Sequence, residues 1–362
     1  MAALDARAAL DARAALADRV RAVDLSSDDD DETPEQRAAR AREAKIMAKM
    51  ASVLDEYCLS AIGKSVAQAY LRKLRDDDME RVRHWWLRKL NGRECVPPAS
   101  AAPAQRGCPE LLEGLRAAPV WWRGAAEGDA APPEELAWLR DVEARVPEMR
   151  AELLALRGQR GFQPYRSPKA GGDTGDDLGK KSTDAGDWNV YYLELHNMDF
   201  AENRARCPVT CDVLKAVPRR YGHAFFSANA PRTHITAHNG PTAKKLRCHL
   251  PLVCPADPPG ACRLRVADES VPLAEGRAVV FDDSFNHEAW NDHASAGRIV
   301  LIFDVWHPDL SPKEVKLLSF LQTAAMKRDK RICDAQGVDA DNFYAVIDKA
   351  RAATPDAASI WA

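Results

Sequence analysis

The sequence CHLPLVC at 248–254 is one of five short apolar runs, the others being WNVYYLEL (188–195), CRLRVA (262–267), RAVVFDD (277–283) and RIVLIFDVW (298–306). In CRLRVA, Leu264 and Val266 alternate with arginines, which is the pattern of a strand with one buried face. Turn-forming residues, such as the Asp-Pro-Pro-Gly at 257–260, separate the runs. Many short strands without intervening helices predict an antiparallel barrel or a double-sheet jelly roll.

Segments of different character flank these strands. Apolar residues recur at helical spacing after Pro34, and a second helical region begins at the cap-like Ser311-Pro312. We divide the chain into a low-complexity N-terminus (1–33), a helical extension (34–90), a Pro- and Gly-rich linker (91–118), a main domain (119–315) and a helical tail (316–362).

Composition excludes several classes of protein. The 362 residues are 46% hydrophobic with a net charge of −3, which excludes a fully disordered chain and gives no general attraction to nucleic acid. No apolar run approaches the roughly 20 residues of a membrane span, and the N-terminus lacks the apolar core of a signal peptide. Nine cysteines in so long a chain suggest free thiols. We therefore expect a cytoplasmic protein.

Histidines are concentrated in the strand-rich half. Six of the nine lie between residues 223 and 293, and two of them, His238 and His287, each follow or precede a predicted strand. Two imidazoles at strand ends of a jelly roll fit a non-haem iron site, but the usual carboxylate position, two residues after the first histidine, is Gly240. The alternatives are ordinary buried histidines, or a zinc site formed by His234, His238 and His249.

Several motifs together resemble the aspartyl/asparaginyl β-hydroxylase family. Between Ser227 and Pro308 the chain contains HNGPT, LRCHL, FDDSFNHEAWND and DVWHPDLSP, and the resemblance extends over 119–315 through AGDW and PVWW. It implies a mainly β, cupin-like double-stranded β-helix with flanking helices. It also implies a dioxygenase that uses Fe(II), 2-oxoglutarate and O₂, with iron held by two histidines and no protein carboxylate.

The resemblance assigns roles to particular residues. His238 and His287 would bind the iron, and Asp283 would orient iron-bound water. The residues expected around 2-oxoglutarate are Trp188, Ser227, Arg247, His249 and Arg298, with Arg298 pairing with the distal carboxylate. Lys245 would contact an acidic substrate side chain.

The implied activity is hydroxylation of Asp or Asn in a polypeptide, releasing succinate and CO₂. The alternatives are the same chemistry on a lipid or small molecule, or a catalytically silent jelly-roll binding module. We expect Cys207 and Cys211 to be reduced thiols, and the Gly-rich segment 167–187 to be a mobile loop that contacts substrate.

Overall fold

The computed structural model describes residues 33–56, 60–74, 77–91, 93, 96–124, 131–166, 181–196, 198–336, 343–352 and 361. Most of the low-complexity N-terminus and most of the predicted loop, residues 167–180, lie outside this part of the chain. The chain divides into two compact units, Met1–Ala51 and Ser52–Ala362. The described part of the first unit is helical from Pro34 onward, and the second unit contains the β-structure.

Helices precede and follow the strands. Those of the described residues are α1 (Pro34–Glu56), α2 (Ala61–Lys73), α3 (Glu80–Leu90), α4 (Leu139–Ala144), α5 (Val146–Ala155), α6 (Ala201–Ala205), α7 (Pro208–Ala216), α8 (Pro312–Gln336) and α9 (Phe343–Ala352). Proline stands in the first turn of α5 and α7, where its missing N–H would have no partner in any case. None of the described helices is long and apolar enough to cross a bilayer.

Two antiparallel sheets form the centre of the second unit. Their strands are β1 (Val120–Trp122), β2 (Gln163–Pro164), β3 (Thr183–Ala185), β4 (Trp188–Leu195), β5 (Arg220–Asn229), β6 (Thr233–His238), β7 (Lys245–Val253), β8 (Cys262–Val266), β9 (Glu269–Pro272), β10 (Val279–Phe281), β11 (His287–Asn291) and β12 (Arg298–Trp306). The large sheet has the order β1-β10-β7-β12-β5-β4-β2, and the small sheet has the order β3-β6-β11-β8-β9.

The strand order is that of a jelly roll. From β5 to β12 the chain passes from one sheet to the other at almost every connection, and only the β8–β9 hairpin stays within one sheet. Sequence neighbours therefore face each other across the interior instead of pairing side by side. The predicted fold, a mainly β double-stranded β-helix with flanking helices and a helical N-terminal extension, is confirmed.

The large sheet has one face against helices and one face toward the small sheet. Side chains of α4, α5 and α7 pack on the outer face, against residues such as Phe226, Leu250 and Leu301. Every second side chain of these strands points into the space between the two sheets. There Val279 and Phe281 pack against Leu264 and other residues of the small sheet. This inner face carries the polar residues described below.

The predicted linker (91–118) is packed against the jelly roll over much of its length. A short 3₁₀ helix occupies Pro103–Gln105, and Gln105, Cys108, Leu111 and Leu112 are buried. Its Pro- and Gly-rich composition therefore belongs to an irregular segment whose polar groups form hydrogen bonds with neighbouring loops. The segment is not the exposed spacer that this composition suggests.

Candidate active site

His238 and His287 face each other across two neighbouring strands. His238 ends β6, His287 begins β11, and their Cα atoms are paired in register. Between His287 and Ala289 the pairing partner changes from His238 to Ile235, so β6 has one extra residue at this point. Such a bulge reverses the side-chain alternation and places His238 on the inner face with Ile235. The two imidazole centroids are 4.2 Å apart.

Hydrogen bonds to the backbone define the tautomer of both rings. Nδ1 of His238 lies 2.7 Å from the Thr236 carbonyl oxygen, and Nδ1 of His287 lies 2.9 Å from that of Phe285. A carbonyl only accepts, so each Nδ1 carries the proton and each Nε2 keeps a lone pair. Burial lowers the pKa of both imidazoles, that of His287 strongly, and so favours the neutral form that binds metals.

Asp283 fills the space beside His238 that a side chain at Gly240 would need. A Cβ atom on Gly240 would lie 2.5 Å from Cγ of Asp283 and 2.6 Å from its Oδ2. The Gly240 N–H donates to the Asp283 carbonyl oxygen at 2.6 Å, which fixes the two loops against each other. A carboxylate of residue 240 therefore has no room, and the carboxyl group near the histidines is that of Asp283.

A buried network of charges surrounds Asp283. Its Oδ2 lies 2.6 Å from Lys245 Nζ and 3.2 Å from Arg247 Nη1, while its Oδ1 is buried without a partner among the described residues. Asp304 accepts two hydrogen bonds of 2.9 Å from Arg247 and lies 3.0 Å from both Lys245 Nζ and His223 Nδ1. Burial alone would raise the pKa of Asp304, but Arg247 and Lys245 hold it well below its usual value. The positive charges of Lys245 and Arg247 therefore balance the negative charges of the two aspartates.

Arg298 is a buried cation of a different kind. It is 1% exposed, donates to Asn229 Oδ1 at 2.9 Å and to the Trp290 carbonyl oxygen at 3.4 Å, and its Nε has no partner among the described residues. It forms no ion pair with a described carboxylate, and burial lowers its pKa. An anion entering this end of the interior would relieve an uncompensated buried charge.

Aromatic and polar side chains line the wall near Arg298. Trp188 Nε1 donates to Ser227 Oγ at 2.9 Å, and the Trp188 ring stacks on Tyr165 with centroids 3.7 Å apart. His249 is buried edge-on against Phe281, and its Nδ1 has no partner among the described residues. The interior therefore has unpaired polar atoms next to an aromatic wall.

The site residues predicted from the sequence fall into two groups. The inner face of the large sheet carries Trp188, Ser227, Arg247, His249 and Arg298, opposite the histidine pair of the small sheet. Lys245 is only 1% exposed, and its ammonium group already contacts two carboxylates. Nothing in this arrangement leaves Lys245 free to meet an acidic substrate.

The zinc alternative has no support from the described residues. They contain no group of three or more His, Cys, Asp and Glu side chains arranged to hold a metal. His234 lies on the other side of β6, where Asp184 at 2.8 Å and Glu288 at 3.1 Å contact its ring nitrogens. Cys207 and Cys211 are free thiols, as predicted.

Sequence reasoning missed several residues of the site, chiefly Asp304, His223 and Tyr165. Asp304 had a detectable signal, because it stands six residues after Arg298 in a β-strand and so shares its face. A carboxylate on the same face as Arg298, in a strand whose other residues are apolar, indicates an ion pair in the interior. His223 and Tyr165 had no comparable signal, since neither β5, which contains His223, nor the short β2, which Tyr165 follows, was predicted.

The strand-rich part of the chain is similar in sequence to known proteins. A family model described as Aspartyl/Asparaginyl beta-hydroxylase matches residues 143–308. The human aspartyl/asparaginyl beta-hydroxylase is 39% identical over 137 residues, which is 37% of this chain and 18% of that protein. Human aspartate beta-hydroxylase domain-containing protein 2 is 35% identical over 147 residues, 39% of each chain.

A bacterial relative matches over a longer stretch. The ornithine lipid ester-linked acyl 2-hydroxylase of Rhizobium tropici is 33% identical over 175 residues, 48% of this chain and 59% of that protein. The chain thus spans between 18% and 59% of the length of these three relatives. The family match contains both facing histidines, Asp283 and Arg298. Residues 143–308 of this chain are thus similar in sequence to the aspartyl/asparaginyl β-hydroxylase family.

Proposed function

We propose that this protein is an Fe(II)- and 2-oxoglutarate-dependent hydroxylase that acts on Asp or Asn residues of a polypeptide and releases succinate and CO₂. One observation carries the proposal. Two neutral histidines present free Nε2 atoms in the same interior that holds Arg298, a buried cation with no described carboxylate partner. A metal ion and a dianion together satisfy both features.

The iron ligands in this proposal are His238 and His287. Their Nδ1 hydrogen bonds to backbone carbonyls orient both rings and leave Nε2 for the metal. When bound, iron supplies the activation of O₂ that inserts one oxygen atom into a C–H bond while 2-oxoglutarate becomes succinate. Asp283 Oδ1, which is buried and without a described partner, would accept a hydrogen bond from water on the metal.

The cosubstrate site in this proposal is the inner face of the large sheet. Arg298 would pair with the distal carboxylate through a two-pronged hydrogen bond. Ser227 and Trp188, which already bond to each other, would border the same carboxylate, and His249 offers an unpaired ring nitrogen. Arg247 would hold its charge toward the metal end while Asp304 keeps it in position.

Two classes of substrate are suggested by the relatives of this chain. The names of the human relatives support Asp or Asn in a polypeptide. The Rhizobium relative, which shares the longest aligned stretch of the three, favours an acyl lipid as the second candidate. Because Lys245 is occupied by Asp283 and Asp304, recognition of an acidic peptide would need other cations.

The test is succinate formation by the full chain with Fe(II), ascorbate and 2-oxoglutarate, in the presence of Asp- and Asn-containing peptides or of ornithine lipid. We expect succinate together with a product heavier by one oxygen, in the peptide arm for the leading proposal and in the lipid arm for the second. His238→Ala should abolish succinate and His234→Ala, on the opposite side of the same strand, should not. Iron binding without succinate in any arm would contradict the enzyme and favour a silent binding module.

A further inference from the structure

We infer that residues Ala104–Glu110, here called the clasp, position both iron-binding histidines and so belong to the active site. The clasp precedes the region that matches the family, residues 143–308. It contacts the loop 239–244, which follows His238, and the loop 282–286, which precedes His287. The inference rests on the proposed metal site and extends it to a part of the chain with no assigned role.

A single carbonyl group contacts the neighbours of both histidines. The Ala104 oxygen accepts from Asn239 Nδ2 at 2.8 Å and from the Asn286 backbone N–H at 2.7 Å. Asn239 directly follows His238, and Asn286 directly precedes His287. A carbonyl oxygen has two lone pairs, so both bonds can form at once. The separation of the two histidine-bearing strand ends is therefore fixed from one atom of the clasp.

Gln105 strengthens the contact with the second loop. Its side chain is 4% exposed, and its Nε2 lies 2.8 Å from Ser284 Oγ and 3.4 Å from Asp282 Oδ2. Asn239 Nδ2 also donates to the Ser284 carbonyl oxygen at 2.8 Å. The clasp and the two loops thus share one buried network, in which the loss of any donor leaves an unsatisfied partner.

The far end of the clasp binds the first loop. The Glu110 carbonyl oxygen accepts from the Ala243 N–H at 3.0 Å, and its carboxylate lies 2.6 Å from Lys244 Nζ. Gly107 packs so closely on Asn239 that a Cβ atom there would collide with the Asn239 amide oxygen. Loop 239–244 is therefore held at both ends, next to His238 and at the start of β7.

Partners that orient metal ligands affect the metal more than the fold. Their removal typically lowers metal affinity or activity by about 10- to 100-fold. A segment that only supported the fold would instead lower the unfolding temperature and leave the affinity of the folded protein unchanged. Metal affinity measured on folded protein therefore distinguishes a positioning role from a structural one.

The experiment is Co(II) titration of the full chain, followed by the visible absorption of the bound ion, at a temperature where circular dichroism shows every variant folded. Asn239→Ala removes the donor to Ala104, and Gln105→Ala removes the bond to Ser284 without touching the Asn239 amide. We expect each to weaken Co(II) binding at least about tenfold. The matched control is Arg106→Ala, an exposed residue within the clasp, whose affinity should stay within twofold of wild type.

The outcomes separate this inference from the proposed function. Tight Co(II) binding by the wild type, with unchanged affinity in both Asn239→Ala and Gln105→Ala, would overturn the positioning role and leave the metal site intact. Failure of the wild-type chain to bind Co(II) or Fe(II) would overturn the proposed metal site, and the role of the clasp with it. Weakened binding in both variants, with the Arg106 control unchanged, is the result that supports the inference.

Discussion

At the scale of single residues, the state of the two histidines follows from their backbone partners. A carbonyl acceptor at Nδ1 of His238 and of His287 leaves no choice of tautomer. Burial then disfavours the charged form of each ring and lowers its pKa. Together these effects prepare two neutral nitrogen donors before any metal arrives, which is the condition for metal binding near neutral pH.

His238→Ala or His287→Ala should abolish Fe(II) binding and turnover, because each removes one of only two proposed protein ligands. Both variants should remain folded, since neither ring forms part of an ion pair with a described residue. Isothermal titration with Fe(II) under anaerobic conditions measures the loss. Unchanged iron affinity in either variant would remove that histidine from the site, and His234→Ala serves as the control.

Arg298→Met should abolish 2-oxoglutarate binding without lowering the free energy of unfolding. The buried cation has no described carboxylate partner, so its replacement by an apolar side chain of similar volume removes the cost of burying an uncompensated charge. We therefore expect 2-oxoglutarate binding to be lost, while the free energy of unfolding measured in urea does not fall.

The control for Arg298 is Arg263→Met, because Arg263 pairs with Asp292 on the opposite face of the small sheet and should not affect the cosubstrate. A variant at Arg298 that binds 2-oxoglutarate like the wild type would exclude this arginine from the cosubstrate site. A large fall in the free energy of unfolding would contradict the description of Arg298 as an uncompensated buried charge.

At the scale of elements, the sequence predicts strands best where the pattern is continuous. β4, β8 and β12 begin where WNVYYLEL, CRLRVA and RIVLIFDVW begin. β6 and β11 were missed, because THITAH and HEAWN mix polar, small and aromatic residues and β6 contains the bulge that breaks its alternation. The two strands that carry the histidines were thus the hardest to predict, although the histidines themselves could be found from their motifs.

The start of α8 is a second element that the sequence predicts correctly. The Glu314 N–H donates to Ser311 Oγ at 3.1 Å, and the Ser311 N–H donates to Glu314 Oε2 at 2.8 Å, which is a complete capping box. Ser311→Ala should lower the free energy of unfolding by about 1 kcal/mol. Ser319→Ala, an exposed position in the same helix, should change it by less than about 0.5 kcal/mol. Equal values in urea unfolding would contradict the capping role.

The contact between the clasp and loop 239–244 should depend on pH. Burial alone would raise the pKa of Glu110, but Lys244 and Lys89 outweigh it and lower the pKa from 4.5 to about 2. A carboxyl whose folded pKa is depressed stabilises the fold above its unfolded pKa, and that stabilisation is lost as the pH falls. The wild type should therefore be more stable than Glu110→Gln at pH 7, and the difference should shrink between pH 4.5 and pH 2.

Thermal unfolding across that range measures the effect of Glu110. The matched control is Glu113→Gln, whose half-exposed carboxylate pairs with Arg88 at the surface and should show a small difference at every pH. A difference between Glu110→Gln and wild type that does not change with pH would mean that the ion pair with Lys244 contributes nothing.

At the scale of the whole molecule, the site draws on parts of the chain that no local pattern connects. The histidines come from the small sheet, Arg298 and the ion network come from the large sheet, and the clasp comes from a segment outside the family match. The contact between Gln105 and Ser284 joins residues 179 positions apart. Periodicity and motifs cannot predict such contacts, so the sequence points to the proposed metal and cosubstrate residues while it assigns the clasp to a linker.

In the proposed site, one interior binds Fe(II) through two histidines and 2-oxoglutarate through Arg298. Its most direct test is equilibrium binding of 2-oxoglutarate to the full chain without oxygen, with and without Fe(II). We expect one 2-oxoglutarate per chain, bound much more tightly when Fe(II) is present, with the iron-dependent gain lost in His238→Ala and binding lost in Arg298→Met. No binding in either condition, or the same iron-dependent gain in His238→Ala, would contradict the proposed site.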